Sequence, residues 1–245
     1  MYRKNYSADT THYYGAISQL DQAIGRVRGL LETHGVKNNT FMWFSSDNGP
    51  QIGTPGSTAG LRGKKGSVFE GGIRVPAILE WPAVIKANRK SDYPVVTNDL
   101  LPTVCDVLGV DPPLDRPIDG TSILPFLKGD VNHRNSSIAF AFHIKRGDLN
   151  SDFYGALVQG SQKLVVKYDK GNIQSVNLYD VVADPKEEAD ISHQYTDVVP
   201  VLKQELQDFL KSVNKSATDI GCILTHDRRP SEIVKSKCHC SRSWT

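Results

Sequence analysis

Two neighbouring stretches, WFSSDNGP from Trp43 to Pro50 and LRGKKGSVFEGGIRVP from Leu61 to Pro76, decide how the first half of this sequence is read. The run TFMWFSS, Thr40 to Ser46, is short, apolar and aromatic with little alternation, which predicts a strand covered on both faces. It ends in a carboxylate, an amide and a glycine. From Gly49 to Gly72 there are eight glycines, so the chain here is a loop whose backbone takes unusual dihedrals or approaches a ligand closely. IRVPAILEWP, Ile73 to Pro82, then predicts a second buried strand.

Working outward, Ile17, Leu20, Ile24, Val27 and Leu31 recur at helical spacing, with Ser, Asp and Thr before them and Gly35 after, which predicts a capped amphipathic helix packed on a neighbour. VVTNDLLPTVCDVLGV predicts another helix, capped near Thr97, with Pro102 early and Gly109 at its end. Helix, buried strand, strand and helix suggest an α/β layer up to about residue 110. PFLKGDVNHRNSS, Pro125 to Ser137, is polar and turn-rich. Beyond it the strand candidates SIAFAFH, FYGALVQG, QKLVVKY and SVNLYD follow without intervening helices, as in a small antiparallel sheet. A last amphipathic helix offers Val198, Val199, Val201, Leu202, Leu206, Phe209 and Leu210 to a core, ahead of a basic tail.

The 245 residues are 39% hydrophobic and 23% charged, which is ordinary globular composition. A net charge of +2 spread along the chain makes no basic stripe of the kind that tracks a phosphate backbone, so nucleic acid is not the expected partner. No stretch approaches the roughly eighteen apolar residues of a membrane span, and the start lacks the apolar core of a signal peptide. N-x-S/T sequons at Asn5, Asn38, Asn135 and Asn214 fit a glycosylated secretory protein. Of the four cysteines, Cys105 reads as a small buried hydrophobe, while Cys222, Cys238 and Cys240 crowd the tail beside His226 and His239. Their spacing fits no standard zinc finger, which favours an extracellular disulfide or a frayed end over metal.

In an open α/β sheet, ligands sit beyond the carboxyl ends of strands, where Asp47 and Asn48 fall. A carboxylate and an amide carbonyl are hard oxygen ligands of the kind Ca²⁺ or Mg²⁺ takes, but Ca²⁺ needs about six to eight and this pair gives two. Taken alone, the three residues Asp-Asn-Gly are more simply an Asx-turn. The lysines in RGKKGS alter that balance, because a loop with close glycines and a fixed cation can cradle a tetrahedral anion such as sulfate or phosphate. In extended backbone Lys64 and Lys65 point to opposite sides, so one faces the site and the other is solvated.

With these residues in place, the stretch from Thr10 to Pro50, then LRGKKGSVFEGGIRVPAILEWP, NDLLPTVCDVLGV, PIDGTSILPFLKGD and NLYDVVADPKEEADIS, closely resembles the sulfatases of the alkaline phosphatase superfamily, above all the arylsulfatase and N-acetylgalactosamine-6-sulfatase-like branch. The likeness runs to about Ser216. It implies an alkaline-phosphatase-like mixed α/β sheet flanked by helices, incomplete here, followed by a small α+β domain with an antiparallel sheet and a packed helix. It also implies hydrolysis of sulfate esters, aryl or glycan, in the lysosome or outside the cell. Asp47 and Asn48 match a Ca²⁺-ligating pair, Asn48 also lies at the substrate site, and Lys65 matches the lysine that contacts the substrate sulfate. Lys64 stands where the family usually has glycine.

The family's nucleophile, a formylglycine made from a Cys/Ser-x-Pro-x-Arg motif, has no counterpart among these residues, nor have the adjacent aspartates that complete the calcium site. The expectation is therefore the later part of a catalytic domain over residues 1–136, a small carboxyl-terminal domain over 137–215 and a tail over 216–245, with the other half of the site upstream and poor stability and activity alone. A fragmentary gene model, an alternative transcript and a diverged non-catalytic paralogue stay open. Two rival functions do as well: sulfated-glycan binding through Lys65, Arg62 and the basic tail, and phosphoester hydrolysis. Glu70 and Arg74 read as a structural ion pair, Asp21 as a packing or hydrogen-bonding position, and Asp99 as a favourable charge in the first turn of its helix.

Overall fold

The structure, a computed structural model, describes residues 7–114, 117–142, 149 and 152–219. Helix α1 spans Ala8–Thr33, and the Ser7 hydroxyl oxygen caps it by accepting the Thr10 N–H at 3.3 Å. The predicted apolar stripe is present, but no residue of α1 is buried, and Ile17, Leu20, Val27 and Leu30 are 48–58% exposed. The expected packing of this stripe is thus corrected. The helix is tied to the sheet through Arg28, whose Nε and Nη2 donate to the Glu80 carboxylate at 2.7 and 3.0 Å. That pairing holds the Glu80 carboxyl below its ordinary range.

Strands β1, Met42–Ser45, and β2, Ala77–Glu80, pair antiparallel with Trp43 opposite Leu79 and Phe44 opposite Ile78. Side chains alternate across a strand. Trp43 and Leu79, with Phe41, pack against Ile123, Phe126 and Leu127. Ile78 is 64% exposed, so the two strands are not covered on both faces as the sequence suggested. The second strand is also shorter than expected, because Glu70–Ile73 forms a one-turn helix, α2, before it. Helix α3, Leu100–Leu108, follows the sequence closely: Pro102 lies in its first turn, Gly109 ends it at φ 65°, and Cys105 is buried. Helix α4, Leu124–Lys128, corrects the reading of Pro125 to Ser137 as turn alone, since Leu124, Phe126 and Leu127 are buried. One turn is too short to show periodicity; only Pro125 at its start and Gly129 after it, at φ 92°, mark it.

The second sheet is an antiparallel meander of β3 (Ile138–Phe142), β4 (Phe153–Gln159), β5 (Gln162–Asp169) and β6 (Asn172–Asp180), in that spatial order. Helix α5, Val198–Asp219, covers one face, burying Leu202, Leu206 and Leu210 against Phe153, Leu157, Leu164, Val166 and Leu178. Val201 lies off that stripe and is exposed, contrary to its expected place in the core. On the other face Ala156, Val165, Tyr179 and Val181 pack against Val68, with Phe69 alongside. Strand β5 is therefore covered on both sides, and the glycine-rich loop that precedes α2 is the second cover.

Candidate functional site

Asp47 and Asn48 emerge directly past the end of β1, and Asp47 is exposed. Asp47 Oδ1 accepts the Asn48 N–H at 2.9 Å, Ser46 Oγ donates to the Asn48 carbonyl at 2.9 Å, and Asn48 Nδ2 donates to the Gly49 carbonyl at 2.9 Å. This local network bends the chain without the side-chain oxygen to i+2 N–H bond that defines an Asx-turn. It leaves hard oxygens on both side chains at one strand end, so the bend and the ligand pair are compatible readings of the same residues.

Backbone contacts bring this turn and the lysine loop together. Gly49 N–H donates to the Gly72 carbonyl at 2.8 Å, Lys65 N–H to the Pro50 carbonyl at 3.0 Å, and Gly71 N–H to the Arg62 carbonyl at 2.6 Å. The approach is so close that a Cβ on Gly49 would stand 1.9 Å from the Gly71 oxygen, and one on Gly72 would stand 2.1 Å from the Ser67 oxygen. Gly63 and Gly66 turn the loop with φ of 81° and 91°. Lys65 lies exposed on this frame and Lys64 is half-buried. Asp47, Asn48 and Lys65 thus belong to one interlocked loop unit.

Among the described residues no group of three His, Cys, Asp or Glu side chains comes together to hold a metal. Asp47 and Asn48 fit part of an oxygen-ligand site such as Ca²⁺ takes, with the remainder of its roughly six to eight ligands needed from further residues. Of the sequons, Asn38 and Asn135 are exposed and Asn214 is half-exposed on α5. Asn5, Cys222, Cys238, Cys240, His226 and His239 lie outside the described residues.

Beneath the loop is a cluster that sequence reasoning missed. Lys163, on β5, is wholly buried, and its Nζ lies 2.9 Å from both Glu70 Oε1 and Glu187 Oε1. Glu187 Oε2 accepts the Glu70 N–H at 2.7 Å. Burial pushes the Glu187 carboxyl up even though Lys163 opposes it. The expected pair of Glu70 with Arg74 exists, at 3.6 Å, but is secondary to this buried one. Arg62 stacks its guanidinium 3.8 Å from the Phe69 ring centre, and its Nη1 donates to the Glu187 carbonyl at 2.8 Å and the Tyr179 hydroxyl at 3.2 Å. It is thereby tied through Nη1 to Tyr179 of β6 and to Glu187, while the residue stays exposed. Asp21 is exposed, not a packing position, while Asp99 does serve the first turn at the head of its helix, accepting the Val96 N–H there, and is in addition fully buried. Lysine in QKLVVKY carried no sign of burial, since lysine on a strand is ordinarily solvated.

Residues 2–110 match the family described as Sulfatase, and residues 63–212 match N-sulphoglucosamine sulphohydrolase, C-terminal. The chain belongs to the sulfatase family, whose members are sulfuric ester hydrolases. It is 35% identical to human steryl-sulfatase over 158 residues, 60% of this chain and 27% of that protein. To mouse N-acetylgalactosamine-6-sulfatase it is 38% identical over 127 residues, 50% of this chain and 24% of that one. Among solved structures, Ps i-CgsB in complex with k-i-k-neocarrahexaose superposes with a TM-score of 0.73 at 24% identity, over 89% of this chain and 49% of that one. The fold is thus the alkaline-phosphatase-like fold of the sulfatases in part, and the chain spans about a quarter of the length of these curated relatives. No helix among the described residues is long and apolar enough to cross a membrane.

Proposed function

We propose that this chain supplies one side of a sulfatase active site, with Asp47 and Asn48 giving two oxygens to Ca²⁺ and Lys65 contacting the sulfate of an aryl or glycan sulfate ester. The observation that carries this is the backbone lock that fixes the Asp47–Asn48 turn against the Lys65 loop. Bound Ca²⁺ would neutralise charge on the sulfate oxygens. Lys65 adds a second fixed cation, orienting the ester and stabilising charge as the sulfur–oxygen bond breaks. The formylglycine nucleophile belongs to a segment outside these residues, which contain no Cys/Ser-x-Pro-x-Arg motif. Residues 1–136 form the later part of the catalytic domain and 137–215 its small carboxyl-terminal domain, in a lysosomal or secreted protein glycosylated at sequons such as Asn38 and Asn135.

In a sulfatase that includes these residues, Lys65→Ala is expected to lower kcat/KM for an aryl sulfate by about a hundredfold or more, the usual effect of removing one charge-stabilising group. Asp47→Ala is expected to weaken Ca²⁺ binding measured by calorimetry. Unchanged kcat/KM in the Lys65 variant would overturn the assignment. The lack of a nucleophile motif in the 245 residues favours one second reading, a sulfated-glycan-binding paralogue. Retention of the chain on heparin that Lys65→Ala abolishes, with no turnover in the longer protein, would select it.

A further inference from the structure

The residues beneath the lysine loop point to a role for the small sheet that goes beyond covering a core. The loop from Arg62 to Glu70 is gripped at both ends, by Lys163 of β5 and by Glu187 in the segment that follows β6. At its far end, Glu70 is fixed twice, by Lys163 Nζ at 2.9 Å on its carboxylate and by Glu187 Oε2 at 2.7 Å on its N–H. At its near end, Arg62 donates to the Glu187 carbonyl and lies over Phe69. Glu187 therefore serves both grips, through its side chain and its backbone. Between the grips, the Gly71 N–H bond to Arg62 closes the loop and the Lys65 N–H bond to Pro50 joins it to the Asp47–Asn48 turn.

We infer that Lys163 and Glu187 are positioning residues for the anion site: they hold the Lys65 loop in register with Asp47 and Asn48 from the opposite side of the loop, without touching the ligand. Both side chains are wholly buried, so neither can reach an anion in solvent. The inference rests on the reading of Lys65 as the anion contact. A buried ionic cluster can be merely structural, and the distinction lies in where its loss is felt.

Hydrogen exchange on the full chain separates the two. Lys163→Met and Glu187→Gln are expected to speed exchange at the amides of Gly49, Lys65 and Gly71 by at least about tenfold beyond any change at Leu157 and Leu164, because the loop opens locally. Leu206→Ala, on the far face of the sheet, is expected to speed the loop and core amides together. Loop amides that rise only in step with the core in both cluster variants overturn the proposal. Retention on heparin supplies the second measure: each cluster variant should elute at lower salt, and neither should lower it further in a Lys65→Ala background, since groups acting through one contact are not additive. If Lys65→Ala itself leaves elution unchanged while the exchange pattern holds, the anion-contact reading fails and the clamp stands. Glu187→Gln keeps the test alive should Lys163→Met fail to fold.

Discussion

Asp99 shows how far one residue can depart from what its neighbours in sequence suggest. Its carboxylate is fully buried and accepts four donors: the Val96 N–H at 2.9 Å and Arg134 Nη1 at 2.7 Å on Oδ2, and the Thr121 N–H and Arg134 Nη2, each at 2.9 Å, on Oδ1. Arg134 is almost as buried, so the bidentate pair is shielded from solvent. It draws together the start of α3, the approach to α4 and the approach to β3. Replacing Arg134 by methionine strands a carboxylate in a dry site, and urea unfolding should show a loss of about 3–5 kcal/mol. Asp99→Asn in the same chain should restore part of that loss, because the orphan charge is gone. A loss below about 1 kcal/mol in the single variant would mean that water reaches the site and the pair holds little.

At the scale of elements, the end of β6 is organised by carboxylates. Asp180 accepts the Ala183 and Val182 N–H groups at 2.9 and 3.0 Å and the Ser161 hydroxyl at 3.2 Å, and the Ala183 bond is the chief cause that holds its carboxyl below the ordinary range. At Asp190 burial pushes the other way, but bonds from Leu178, Ser192 and Asn177 outweigh it and the carboxyl is again lowered. Because each folded-state pKa lies below the unfolded one, the unfolded chain binds more protons as pH falls. The stabilisation is complete above the ordinary aspartate range and disappears as pH drops through the folded values. Asp180→Asn should therefore cost about 1–2 kcal/mol at pH 7, and the gap to the parent chain should narrow in urea titrations as pH falls below the ordinary aspartate range. A gap that stays constant with pH would rule out the ionised carboxylate as its source. These elements were mostly legible in the sequence, since alternation, caps and terminal glycines mark β3 to β6, α3 and α5. One-turn α2 and α4 were not, being too short for a period to show.

Over the whole molecule, the parts that sequence revealed are those whose chemistry is local. Asp47, Asn48 and Lys65 can be proposed from sequence because strand end, bend and glycine loop lie within a few tens of residues and resemble a family pattern. Lys163, Glu187 and Arg134 were not, because each acquires its meaning from a partner brought near only by tertiary packing, as Lys163 does from Glu70, 93 residues away. The same contrast applies to α1 and α5. Both are long amphipathic helices, but α5 buries Leu202, Leu206 and Leu210 whereas α1 buries nothing. Since helices in proteins owe most of their stability to packing of the apolar face, α1 should open far more easily than α5. Its amides should exchange at least about a hundredfold faster than those of the middle turns of α5 in the isolated chain. Leu20→Glu together with Leu30→Glu should then leave the urea midpoint almost unmoved, within about 0.5 kcal/mol for each substitution, while reducing concentration-dependent association measured by light scattering. A large loss of stability from that pair would show that the α1 stripe is packed in solution, and equal exchange in the two helices would show the same independently.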